Sequence, residues 1–208
     1  MDLWPAIDAE RRSFVAYLRG LPDEAWTRPS LVAGWTVRQV VAHLIGLSEI
    51  TLGSFLSGIA SHGFSLNRLN DAGVRRIADA CSNAHLIDRL ETRVMARSHP
   101  PGPVMTLLGE VVVHGEDIHR ALDGYGTHPV EHLTAITDFY KRSNLVIPAK
   151  KRIAGLQLRA TDTPWTSGDG LEVRGPLIAI LLAMTGRTVA LDDLAGDGVA
   201  TLRQRVTS

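Results

Sequence analysis

Over most of the first two thirds of the chain, apolar residues recur at helical spacing. Leu3, Ile7, Phe14 and Leu18 share one helical face, and Gly20 followed by Leu21-Pro22 marks a stop. Thr36 and Gln39 have the spacing of a capping box. Val37, Val40, Val41, Leu44 and Leu47 follow at a 3.6-residue period, so a helix is expected over about 37–58. Asn83 can cap a third amphipathic segment carrying Leu86, Leu90 and Val94, ended by the rigid connector His99-Pro100-Pro101-Gly102-Pro103. Residues 104–122 are periodic again and are closed by Gly124 and Gly126. Pro129 then suits the first position of a helix reaching about Leu145. About five helices with short links predict an up-and-down bundle of the four-helix type.

Beyond Pro148 the period changes from helical to alternating. Leu156, Leu158 and Ala160 alternate with Gln157 and Arg159, as in a half-buried strand. Thr163-Pro164 and Ser167-Gly168-Asp169-Gly170 are turn material, Leu171 to Arg174 suits a partner strand, and Pro176 opens a short apolar helix. The predicted fold class is therefore mainly α, with a bundle over residues 1–148 and a small α+β unit over residues 149–208.

Composition narrows the function. With 22 Lys+Arg against 22 Asp+Glu the chain carries no net charge at pH 7, so no basic field draws it to nucleic acid or an anionic membrane. A single cysteine, Cys81, excludes an intrachain disulfide and favours the cytoplasm. Residues 1–10 carry Asp2, Asp8 and Glu10 and are unlike a secretory leader. The longest apolar run, residues 177–184, falls far short of the roughly 20 residues that span a bilayer. A soluble monomer or homodimer acting on small molecules is the expectation.

Candidate chemistry lies on two of the expected helices. His43 falls on the apolar stripe of the 37–58 segment, three residues after Val40 and four before Leu47. On the 104–122 segment Glu110, His114 and Asp117 occupy positions i, i+4 and i+7, one face shared with Leu107 and Ala121. A carboxylate buried there must be paired, protonated or metal-bound, because an unpartnered buried charge costs several kcal/mol or more. Glu and His one turn apart, with a His from a facing helix, can supply three ligands to one divalent ion, zinc foremost, and leave a fourth position open. Nickel, manganese and iron suit the same donors. A buried Glu–His hydrogen bond is the alternative use of these residues. Asp117 can accept from a ligand imidazole.

The motifs resemble a known family. The run Gly34-Trp35-Thr36-Val37-Arg38-Gln39-Val40-Val41-Ala42-His43-Leu44 resembles the start of the second helix in the DinB-like, mycothiol-dependent maleylpyruvate isomerase-type proteins. Glu110-Val111-Val112-Val113-His114-Gly115-Glu116-Asp117 resembles their second metal motif. Arg159-Ala160-Thr161-Asp162, residues 170–176 and Leu182-Ala183-Met184-Thr185-Gly186-Arg187 resemble their C-terminal domain. The resemblance implies zinc on His43, Glu110 and His114, and a thiolate from mycothiol or a similar low-molecular-weight thiol bound to it for isomerisation or S-transfer. Glu110, where the wider DinB-like group often has His, points to the isomerase branch.

With an external thiol the protein needs no nucleophile of its own, and Cys81 reads as incidental. Trp35 reads as a packing anchor. Arg159, Arg174 and Arg187 can meet a substrate carboxylate. Arg187, at the turn after the apolar helix, is the first choice as a catalytic group. His119, five residues from His114, points away from the metal face. The competing function is a non-catalytic metal or small-molecule binding protein on the same bundle.

Overall fold

A computed structural model describes residues 2–145 and 147–207. The chain divides into two compact units, Met1–Thr127 and His128–Ser208.

The first unit is all helix. Helix α1 spans Trp4–Arg19, with Pro5 in its first turn, and buries Ile7, Phe14, Val15 and Leu18. A 3-10 turn at Asp23–Thr27 drops Trp26 into the core. Helix α2, Val37–Glu49, begins where the Gln39 side chain accepts from the Thr36 N–H at 2.9 Å, and it buries Val37, Val40, Val41, Leu44 and Ile45. Helices α3 (Leu52–Ser61), α4 (Leu66–Ala80), α5 (Asn83–Thr92) and α6 (Met105–Ala121) follow. Helix α2 is the hub, packed by α4, α5 and α6, while α1 packs on α5 and α6. Summed over the shared apolar core, each fully buried aliphatic or aromatic side chain contributes about 1.5–3 kcal/mol.

Two charged residues of α1 fasten it to the end of α5. The buried Arg11 guanidinium donates to the carbonyls of Arg93, Val94 and Ala96, just past the last turn of the helix. Asp8 accepts both terminal nitrogens of Arg97 at 2.8 Å, the forked geometry that a guanidinium and a carboxylate share.

Three sequence expectations for this unit change. The segment expected as one helix over 37–58 is two. It breaks at Ile50-Thr51 because the Thr51 hydroxyl accepts the Ser54 N–H at 3.1 Å and the Ser54 hydroxyl accepts the Thr51 N–H at 2.9 Å, starting a new helix. Helix α4 was not anticipated, since only Val74, Ile77 and Ala78 of its fifteen residues are buried. The cap of α5 is Ser82, whose hydroxyl accepts the His85 N–H, rather than Asn83.

The second unit starts with α7, Val130–Tyr140, with Pro129 as its cap residue and not its first helical one. The change of period beyond Pro148 places the boundary at 148/149, whereas the compact units divide at 127/128. The reason is that α7 packs on the apolar helix α9, Leu177–Thr185. A single turn, α8 (Ala149–Arg152), precedes the strands β1 (Leu156–Ala160), β2 (Thr166–Ser167) and β3 (Leu171–Gly175). The sheet order is β2-β1-β3, with β2 antiparallel and β3 parallel to β1. To pass from one edge to the other, the chain crosses the end of β1 at Gly168–Gly170. There a side chain at Gly170 (φ +119°) would sit 2.3 Å from the Gly155 carbonyl. Helix α9 is apolar on all sides and almost wholly buried, and α10, Val199–Thr207, closes the unit. Among the described residues no helix is long and apolar enough to cross a membrane.

Candidate metal centre

The capped start of α2 sets the phase that turns His43 inward, where it is only 8% exposed. Helix α6 turns Glu110, His114 and Asp117 to the same interior. One oxygen, Glu110 Oε2, lies 3.2 Å from His43 Nε2 and 3.0 Å from His114 Nε2. The two imidazoles meet edge to face with centroids 5.0 Å apart. On the far side of its ring, His114 Nδ1 lies 2.9 Å from Oδ2 of the fully buried Asp117.

With Glu110 and Asp117 both ionised, each can only accept, and the ring of His114 between them then donates from both nitrogens as an imidazolium. Burial opposes that charge, but hydrogen bonds to Asp117 and Glu110 outweigh it and push the His114 pKa up to about 9. Burial likewise acts against the Glu110 charge. Hydrogen bonds from His114 and His43 overcome it and hold Glu110 well below the usual carboxylate range.

The donor set fits a divalent ion. One ligand atom from each of His43, Glu110 and His114 lies within 4.8 Å of the others. Bonds of about 2.0–2.2 Å in a tetrahedron put neighbouring ligand atoms about 3.3–3.6 Å apart. The Glu–His separations of 3.2 and 3.0 Å are a few tenths of an ångström shorter. A cation held here would take the place of the proton on His114 Nε2, with Asp117 2.9 Å from the ring's other nitrogen to hold it.

His119 and Cys81 make other contacts within the first unit. His119 stacks on Tyr17 at 3.9 Å between centroids, on another face of α6. Cys81 Sγ lies 3.9 Å from Arg89 Nη1, beside the Arg89–Glu49 ion pair. Arg187 belongs to the second unit, where its Nη1 donates to the Thr185 carbonyl at the end of α9. Trp35 borders the cluster. Its ring lies 5.2 Å from that of His43, and its Nε1 donates to Asp71 Oδ1 of α4 at 3.2 Å. No sequence signal identified Asp71, because the contact joins residues 36 apart through a helix that was not anticipated.

Residues 7–79 match the family described as the mycothiol maleylpyruvate isomerase N-terminal domain. The matched residues lie within the first unit. The match covers α2 with His43 and stops before α6, so the isomerase N-terminal domain as matched contains one of the three clustered donors. Two solved structures are similar over nearly the whole chain. One is described as the mycothiol-dependent maleylpyruvate isomerase, with TM-score 0.63, 15% identity, and 93% of this chain and 91% of that chain covered. A histidine-to-alanine mutant of that isomerase gives a TM-score of 0.60 with the same identity and coverage. At that identity the likeness is one of fold. A comparison with curated protein sequences gives no match.

Proposed function

We propose that the chain is a divalent-metal enzyme, zinc being the expected ion, that uses mycothiol or a similar low-molecular-weight thiol. The reaction is cis–trans isomerisation or S-transfer on a small unsaturated or electrophilic acid of the maleylpyruvate kind. The observation that carries this reading is one half-buried carboxylate oxygen shared by two imidazoles from facing helices, 3.2 and 3.0 Å away. The match of residues 7–79 supports it.

When bound, the metal supplies Lewis acidity that keeps a coordinating thiol deprotonated near neutral pH. The chain's own groups do the rest. His43, Glu110 and His114 hold the ion and leave a position for the thiol. Asp117 accepts from His114 Nδ1 and so keeps the Nε2 lone pair available once its proton is displaced. Arg187, whose forked guanidinium suits a carboxylate, is proposed to bind the acid group of the substrate. A reducing, intracellular setting follows from the thiol.

Metal analysis of the purified protein, followed by a thiol titration of its cobalt-substituted form, tests the reading. A new sulfur ligand in the cobalt spectrum and turnover that requires both metal and thiol are expected. A spectrum unchanged at saturating mycothiol, with no thiol-dependent turnover across a panel of unsaturated acids and electrophiles, would make the protein a non-catalytic binder.

A further inference from the structure

The two imidazoles of the cluster are held in different ways. His114 is oriented by a hydrogen bond from Nδ1 to Asp117, the device by which a ligand histidine is normally fixed. His43 has no such partner. Among the described residues its hydrogen bonding runs only through Nε2, toward Glu110, and nothing anchors Nδ1. A ring with one anchored nitrogen can still rotate about its Cβ–Cγ bond, and that rotation sweeps Nε2 away from the cluster.

Packing on the ring takes the place of the missing hydrogen bond. The Trp35 indole lies against His43 at 5.2 Å and 52°, while His114 meets the same ring at 81°. The indole is itself anchored, since Nε1 donates to Asp71 Oδ1 at 3.2 Å and the Trp35 N–H donates to the Val32 carbonyl at 3.0 Å. Asp71 lies in the second turn of α4, which packs along α2 and is therefore fixed relative to His43.

We infer that Trp35, braced by Asp71, is the positioning residue of His43. The pair does through aromatic packing what Asp117 does for His114 through a hydrogen bond. This rests on the metal reading above. It extends that reading to two residues that touch neither ion nor substrate, and it makes the seating of α4 on α2 a determinant of metal affinity.

The test is zinc affinity by chelator competition, with the visible spectrum of the cobalt form and the thermal midpoint of the metal-free protein. The proteins compared are wild type, Trp35→Leu, Trp35→Phe and Asp71→Ala. Loss of a group that orients a metal ligand typically costs about 10–100-fold in affinity, and Trp35→Leu is expected to fall in that range with an altered cobalt spectrum. Trp35→Phe keeps a flat ring and should recover most of the loss. Asp71→Ala, which frees the indole without removing it, should lie between them with an unchanged thermal midpoint. Should Trp35→Leu not fold, Asp71→Ala decides alone. Wild-type affinity and spectrum in both Trp35→Leu and Asp71→Ala, or in Asp71→Ala alone where Trp35→Leu does not fold, overturn the inference and leave the metal reading standing. A wild-type protein that binds neither zinc nor cobalt overturns both.

Discussion

Helix α6 pairs two glutamates with cations, and their surroundings divide the helix into a face that holds structure and a face that can exchange a cation. Glu116 has a side chain 1% exposed, lies 3.1 Å from Arg120 Nε and also accepts from the Gly126 N–H. Its cation is a guanidinium, permanent and covalently part of the chain. Glu110 is 24% exposed in its side chain and faces two imidazoles, whose nitrogens can trade a proton for a metal ion. Both carboxylates satisfy the demand that a buried charge be paired. The nature of the partner, and not burial itself, separates a brace from a candidate site.

The largest expected effect lies on the structural face. Glu116→Ala leaves Arg120 buried without this counter-ion and should cost about 3–5 kcal/mol in chemical denaturation, with metal stoichiometry unchanged in whatever fraction folds. On the other face His114→Ala should abolish stoichiometric zinc in whatever fraction folds, read by elemental analysis after dialysis. If Glu116→Ala lost the metal while His114→Ala kept it, the division of α6 into two faces would be wrong. Asp117→Asn is a smaller perturbation. Its amide can no longer hold the His114 Nδ1 proton as a carboxylate does, and zinc affinity should fall by about 10–100-fold.

Acidity sharpens the same contrast. The His114 pKa is raised from 6.5 to about 9, so its contribution to the stability of the metal-free protein is complete below about 6.5 and is lost as the pH rises through about 9. Glu110 is shifted the other way. Its contribution is present above its ordinary value of 4.5 and is lost as the pH falls through its lowered one. Metal must displace the His114 proton, so zinc affinity should climb about tenfold per pH unit until about pH 9 and then level off. A flat profile from pH 6 to 9 would mean that no proton leaves. The smallest effect is expected from Cys81→Ser, within about 0.5 kcal/mol in stability and without change in metal content or turnover.

How much of this was legible in the sequence follows from the range of each interaction. Glu110, His114 and Asp117 were visible as one face because helical periodicity is local. His43 joined them because a capped helix start fixes which way its residues turn. The strand β1 was equally plain from its alternation. The break at Thr51 was hidden because the apolar period runs across it, and a Thr–Ser pair is a weaker stop signal than proline. Helix α4 was hidden because Arg68, Asp71, Arg75, Arg76 and Asp79 dilute a stripe that buries only three residues. With α4 unseen, nothing could connect Asp71 to Trp35. Tertiary contacts between a loop and an unrecognised helix leave no periodic trace.

The clasp between α1 and the end of α5 bears on how the protein emerges during synthesis. Arg11 and Asp8 find their partners only at residues 93–97, more than 80 residues later in the chain. At about 5–20 residues per second, a ribosome needs several seconds to more than ten to make that stretch. Throughout that interval the inward face of α1, with Ile7, Phe14 and Leu18 beside the two charges, has neither α5 nor α6 to dock on. Helix α1 is therefore locked in place only once α5 and α6 have been made, and nascent chains that end before residue 93 carry it as an uncommitted amphipathic segment open to chaperones.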